Sequence, residues 1–319
     1  MIPIISVRRL DTNSHDGVDR RMNARKLFVL SIAAIFGLAD FSLAEEPAID
    51  VLRNRVFVER DSGPLAADIY RPQGAGPFPG MLVVHGGAWR LGARADLAAI
   101  AKGLAKHGYT AVAIDYRLAP QYKFPTQIYD CQAAVRWMRE HAKELKIDPN
   151  HIGGFGYSAG GHLVALLGTL DDKELREKGV PANAPSARLQ VVVAGGAPCD
   201  FRPMPAQSEQ LAYWLGGSRA QRPDEYRDAS PANYITPDDP PMYFFSGDQD
   251  WLVPIISPKL MVTKLKDAGL TAEMYTVKDA GHIQALFDRP ALERGLAFAD
   301  RYLKDSSPSP AATQTGGGE

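Results

Sequence analysis

Between residues 78 and 277, short apolar strand-like runs alternate with segments of helical spacing, and this alternation constrains the fold more than any other feature. The runs are Met81–Val84, Thr110–Ile114, His151–Phe155, Leu189–Ala194, Met242–Ser246 and Ala272–Val277. Runs this short, without polar alternation, are strands covered on both faces. Asp96–His107, Thr126–Leu145, Ala159–Leu170 and Ser257–Ala268 have helical spacing between them, and Leu292–Leu303 closes the series. Gly108 and Gly269 stop two of these helices. Upstream, Arg55–Val58 and Leu65–Tyr70 flank the turn residues Asp61-Ser62-Gly63-Pro64, which predicts a hairpin at a sheet edge. Ile147-Asp148-Pro149-Asn150 reads as a turn. The fold class is therefore α/β: a doubly wound, mostly parallel sheet flanked by helices, with ligands at the carboxyl ends of the strands. Residues 45–305 read as one such domain. The irregular, proline-rich stretch of about 202–241, with a helix near Ser208–Leu215, reads as a small lid insertion.

One strand ends in Gly156-Tyr157-Ser158-Ala159-Gly160, a G-x-S-x-G pentapeptide. Such a sequence can hold a serine on a strained turn between a buried strand and a helix, with glycines where a side chain would strike the neighbouring elements. Alone it is equally a glycine-rich turn, so its meaning depends on partners elsewhere in the chain.

A serine hydroxyl needs a base to take its proton. Of seven histidines, His282 follows the last strand in a Gly-His step. His15 lies in the pre-sequence, His107 and His141 sit late in helices, and His151 is at the wrong end of the nucleophile's strand. His162, one turn into the following helix, reads as a packing or hydrogen-bonding residue. The base needs a carboxylate to fix its tautomer. Asp248 and Asp250 both follow a strand tip; Asp248 is expected to organise the turn and Asp250 to reach His282. Backbone N–H donors for an oxyanion are expected from Gly86, Gly87 and Ala88 at the end of Met81–Val84 and from Ala159, with His85 anchoring the loop. Trp89, Tyr157 and Trp251 are candidate substrate contacts. The chain order is Ser, Asp, His.

His85-Gly86-Gly87-Ala88-Trp89, Asp115 to Pro120, Gly156 to Gly161, Gly247 to Pro254 and Gly281-His282 together resemble the α/β-hydrolases of the hormone-sensitive-lipase-like and bacterial feruloyl- and acetyl-esterase-like branch. The resemblance covers residues 50–303. It implies an α/β-hydrolase fold and a serine carboxylesterase working through Ser158, Asp250 and His282 on short-chain or aryl esters, acetyl or feruloyl groups on plant polysaccharide among them, with no metal or organic cofactor. Two departures stand out. Ala88 replaces the third glycine of the usual H-G-G-G, and Tyr157 stands where the hormone-sensitive-lipase branch usually has Asp, which favours the carbohydrate-esterase-like side. An amide hydrolase with the same three residues and a non-catalytic binding module on the same fold are the rival readings.

Composition narrows the partners. Thirty-six basic against 37 acidic side chains give a formal net charge of −1, which offers no electrostatic argument for nucleic acid. The expected partner is a small-molecule or polysaccharide-linked ester. Cys131 and Cys199 fit neither a disulfide framework nor a zinc cluster, and read as two buried thiols, a single bridge being the alternative in an exported chain. Residues 1–21 read as an upstream extension. From Met22, the basic Arg25-Lys26, the apolar Leu27–Leu38 and the small residues Ser42-Leu43-Ala44 read as a signal peptide spanning 22–44, cleaved after Ala44, with export to the periplasm or beyond. The apolar run is too short for a stable membrane anchor. The Ser-, Pro- and Gly-rich residues 306–319 read as a disordered tail.

Overall fold

A computed structural model describes residues 47–304. The expected extension at 1–21, signal peptide at 22–44 and tail at 306–319 lie outside the described residues.

Eight strands form one sheet in the order β1-β2-β4-β3-β5-β6-β7-β8. They are β1 (Ile49–Val58), β2 (Leu65–Pro72), β3 (Phe78–Val84), β4 (Thr110–Ile114), β5 (Ile147–Tyr157), β6 (Val191–Gly195), β7 (Met242–Gly247) and β8 (Ala272–Val277). β1 and β2 form the edge hairpin, β2 runs antiparallel to β4, and every pairing from β4 to β8 is parallel. The predicted sheet is thus the observed one.

Burial explains the apolar runs. Leu82, Val84, Val112, Ile114, Val192, Ala194, Met242 and Phe244 point into one core. Their neighbours Met81, Val83, Ala111, Ala113, Val191, Val193, Tyr243 and Phe245 point into a second. Successive side chains alternate between the faces of a strand, so a sheet covered on both sides needs apolar residues at every position. The helices are α1 (Ala98–Lys106), α2 (Thr126–Glu140), α3 (Ala142–Leu145), α4 (Ala159–Thr169), α5 (Ala212–Leu215), α6 (Pro223–Asp228), α7 (Ile256–Asp267), α8 (His282–Leu286) and α9 (Arg289–Leu303). Side chains of α2, α4 and α7 fill the first core, those of α1 and α9 the second. α9 begins where the Asp288 carboxylate accepts from the Ala291 N–H at 2.8 Å, an N-cap that satisfies one orphan donor of the first turn.

Several expectations need correction. The helix expected over Thr126–Leu145 breaks at His141, whose backbone leaves helical geometry and whose ring Nδ1–H donates to the Trp137 carbonyl at 3.1 Å. Ile147 to Asn150, expected as a turn, lies within β5. The pairing with β3 jumps from Pro79↔Asp148 to Gly80↔Ile152, so Pro149 to His151 bulge out of the ladder. Pro149 has no N–H to give a partner strand, and Asp148 turns the chain locally by accepting from the Asn150 N–H at 2.9 Å. In the 202–241 insertion the helix near 208–215 shortens to α5, and α6 and a 3-10 turn at Pro231–Asn233 follow. Cys131 and Cys199, by contrast, are the two buried free thiols expected.

Candidate active site

β5 delivers Ser158 on a strained turn into α4. Its backbone lies at φ 56° and ψ −121°, a region a side-chain-bearing residue occupies only when its surroundings enforce it, at a cost of about 1–3 kcal/mol. The flanking glycines allow the enforcement. A Cβ on Gly156 would lie 2.2 Å from the Gly160 carbonyl oxygen, and one on Gly160 would lie 2.0 Å from that of Val84. The turn holds because strand and helix are closer than any side chain permits.

Two distant loops meet this serine. His282 opens α8 beyond β8, and its Nε2 stands 2.9 Å from Ser158 Oγ. Its Nδ1–H donates to Asp250 Oδ2 at 2.6 Å. Asp250 Oδ1 accepts from the N–H groups of Leu252 at 3.0 Å and Val253 at 2.8 Å, so the carboxylate has one oxygen for the ring and one for its own loop. Both Asp250 and His282 are buried. Asp248 is exposed, and the turn-organising bonds expected of it are made by Asp250 instead. That His282 heads a short helix, α8, goes beyond what the sequence pattern predicts.

The loop after β3 faces the same serine. Gly87, Ala88 and Trp89 have φ of 104°, 50° and 58°, all in the left-handed region. For Ala88 and Trp89 this costs about 1 kcal/mol each. Among the described residues the backbone N–H groups of Gly87, Ala88 and Ala159 donate to no backbone acceptor. Gly86 packs against Ser158: a Cβ on it would lie 3.2 Å from Ser158 Cβ. His85 anchors the loop as expected. Its Nδ1–H donates to the Gly86 carbonyl at 2.7 Å, its ring stacks on Tyr116 at 4.2 Å, and burial pulls its pKa down. Backbone amides with no backbone acceptor, held beside a serine, can meet a developing negative charge.

A cleft of about 590 Å³ opens over Ser158, walled by Ala88, Ala159, His282, Tyr213, Phe201 and Leu252 among others. Trp89 and Trp251 border it too. Trp251 is 80% exposed at the rim, whereas Trp89 is 3% exposed and stacks on Trp214 at 3.7 Å and 1°. Tyr157 is a correction. It is not among the residues lining the cleft; its buried hydroxyl donates to the His282 carbonyl. Burial, aided by the Asp250 charge, pushes this phenol well above its ordinary pKa, so it remains a donor. His162, read as packing, accepts from Trp89 Nε1–H on Nδ1 at 3.1 Å and donates from Nε2 to the Ala229 carbonyl at 2.7 Å. Burial lowers its pKa to about 4. Among the described residues no group of three or more His, Cys, Asp or Glu could hold a metal ion, and no helix is long and apolar enough to cross a membrane.

Comparison with known proteins fits this geometry. Residues 67–265 match the family model described as BD-FAE. Esterase LipC of Mycobacterium tuberculosis is 30% identical over 294 residues, spanning 84% of this chain and 73% of LipC. A truncated carbohydrate esterase from gut microbiota superposes with a TM-score of 0.69 at 26% identity, over 82% of this chain and 99% of that one. The esterase Est2 of Thermogutta terrifontis, solved with propionate bound, gives 0.68 at 28% identity over 82% and 95% of the two chains. With the sheet order, the serine turn and these matches in agreement, the chain belongs to the BD-FAE family and has the α/β-hydrolase fold.

Proposed function

We propose that the protein is a serine carboxylesterase in which Ser158, His282 and Asp250 do the chemistry. The observation that carries this reading is the unbroken hydrogen-bond line from Asp250 through His282 to Ser158, ending in a cleft edged by free backbone amides. Ser158 Oγ attacks the ester carbonyl while His282 Nε2 takes its proton. Asp250 holds the imidazole in the right tautomer and stabilises the imidazolium. The N–H groups of Gly87, Ala88 and Ala159 receive the tetrahedral oxyanion, with Gly86 keeping the approach clear. His282 then protonates the departing alcohol, and the acyl-enzyme is hydrolysed by a water that His282 activates in turn.

For the substrate, we propose short acyl groups, acetyl above all, on a bulky or polymeric alcohol. The cleft supports this reading because the small residues Ala88 and Ala159 line it with Ser158, while the exposed Trp251 stands in its wall. The names of similar proteins, a carbohydrate esterase and a propionate-bound esterase, point the same way. The proposed export after cleavage near Ala44 would bring the enzyme to such polymers.

Steady-state assays on p-nitrophenyl acetate, p-nitrophenyl butyrate, acetylated xylan and an arylformamide test the proposal. Turnover of the acetyl esters with release of acetate from xylan is expected. Turnover of the arylformamide alone would replace the esterase with an amide hydrolase, and no release from the polymer would confine the substrate to small esters.

A further inference from the structure

We infer that Tyr213, on the 202–241 insertion, is a positioning residue for the oxyanion-binding loop: its hydroxyl pins the backbone that presents the Ala88 N–H. The inference rests on the esterase reading above.

Three successive carbonyls of this loop are held in three different ways. That of Gly87 accepts from the N–H groups of Arg90 at 3.1 Å and Leu91 at 2.9 Å, inside the loop itself. That of Trp89 accepts from the Ala119 N–H at 2.8 Å, on the loop after β4. The middle one, of Ala88, accepts from the Tyr213 hydroxyl at 2.9 Å. Main-chain bonds thus fix the peptide planes on either side, and a side chain from the insertion fixes the one between them.

That middle carbonyl sits at the strained point. Ala88 and Trp89 both lie at positive φ without being glycine, and such backbone persists only where the surroundings over-determine it. The peptide on the C-terminal side of Ala88 carries the carbonyl that Tyr213 holds; the peptide on its N-terminal side carries the N–H offered to the oxyanion. Freed from Tyr213, Ala88 can turn towards an ordinary φ, and its N–H swings away from the serine. The insertion is built to resist this. Tyr213 lies in α5 beside Trp214, which stacks on Trp89 and whose Nε1–H donates to Gln127 Oε1 at 3.0 Å. The Arg90 guanidinium lies over the Tyr213 ring, 4.8 Å from its centroid. The tyrosine belongs to the cleft wall as well, so substrate binding would close over the same contact.

Substitution Tyr213→Phe removes the hydroxyl and keeps the ring, its packing and the cation–π contact. Loss of a direct oxyanion donor costs about 10²–10³ in kcat, and loss of the group that aims one is expected to cost about 10-fold, with KM within about 2-fold. Inhibition by an aryl trifluoromethyl ketone, whose adduct carries the oxyanion, should weaken by about the same 10-fold. The pH dependence of kcat should stay as in wild type, because His282 and Asp250 are untouched. The melting temperature and the fraction of Ser158 that a fluorophosphonate can label report whether the fold survives. Unchanged kcat in Tyr213→Phe alongside an active wild type overturns the inference and leaves the esterase reading intact. A loss of kcat matched by an equal loss of labelable protein, or one without weaker ketone inhibition, also overturns it, since a merely structural tyrosine would act in those ways. A wild type inactive on every ester overturns the esterase reading itself, and the inference with it.

Discussion

The hydroxyl of Tyr157 donates to the main-chain carbonyl of His282, so the residue beside Ser158 holds the backbone of His282. Their rings lie 5.3 Å apart between centroids. The bond crosses from the end of β5 to the start of α8 and fixes the distance that His282 Nε2 must span to reach Ser158 Oγ. Tyr157→Phe should therefore lower kcat by about 10-fold with little change in KM. The carbonyl it leaves without this donor is buried, and its loss should cost about 1–2 kcal/mol of stability. Steady-state kinetics beside urea denaturation check both figures; a change in KM alone would return Tyr157 to a substrate-contact role.

Asp250 serves the ring with one oxygen and its own loop with the other. Asp250→Asn keeps the size and one acceptor, but its amide NH₂ facing His282 Nδ1 would favour the tautomer with the proton on Nε2, which cannot accept from serine. A fall in kcat of about 10³–10⁴ is expected, with the fold retained. Kinetics and circular dichroism check this, and a loss under about 10-fold would mean that Asp250 is not the residue that orients the base.

How far the sequence discloses the site can be judged from these two residues. Asp250 and His282 were legible because strand ends in a parallel sheet converge on one rim, so a carboxylate and a Gly-His step after late strands must face a serine after an earlier one. The sheet was legible for a similar reason, since runs such as Met81–Val84 and Met242–Ser246 need cover on both faces. Tyr157 reads from the sequence as a cleft residue, yet it is not among the residues that line the cleft. Nothing local says whether a side chain after a strand faces the ligand or the neighbouring loop. The bond from Tyr213 to Ala88 depends on how an irregular insertion folds back across 125 residues, which no local pattern reports. The bulge at Pro149 turns on a missing N–H and local bonds to Asp148, and the break at His141 on a ring-to-carbonyl bond; periodicity reports neither.

His162 links acid stability to the loop after β3. Its pKa is lowered to about 4 from an ordinary 6.5 by burial, and a second ring proton would oppose the Trp89 N–H. Because the folded value lies below the unfolded one, the unfolded chain takes the proton first. Stability is full above about pH 6.5 and falls as the pH drops towards 4, by about 3 kcal/mol in all. Urea denaturation across pH 4–7 should show this slope, and His162→Gln, which can still donate and accept, should lose most of it. An equal slope in both proteins would assign the acid sensitivity elsewhere.

Two glycine substitutions should separate strain from entropy. Gly160→Ala drives a methyl group against the Val84 carbonyl and should cost about 4 kcal/mol or more, or abolish folding. Gly103→Ala, in the exposed middle of α1 where a Cβ meets nothing within 4 Å, should stabilise by about 0.5–1 kcal/mol. Thermal denaturation of both measures the contrast, and a well-folded, active Gly160→Ala would contradict the close approach at the serine turn.

The most direct test of the central claim is to treat the folded protein with a fluorophosphonate and map the adduct by peptide mass spectrometry while following hydrolysis of p-nitrophenyl acetate. One adduct per chain on Ser158 is expected, with activity lost in step with labelling and neither seen in Ser158→Ala. Activity that persists after Ser158 is fully labelled, or an adduct on another residue with Ser158 unmodified, would contradict it.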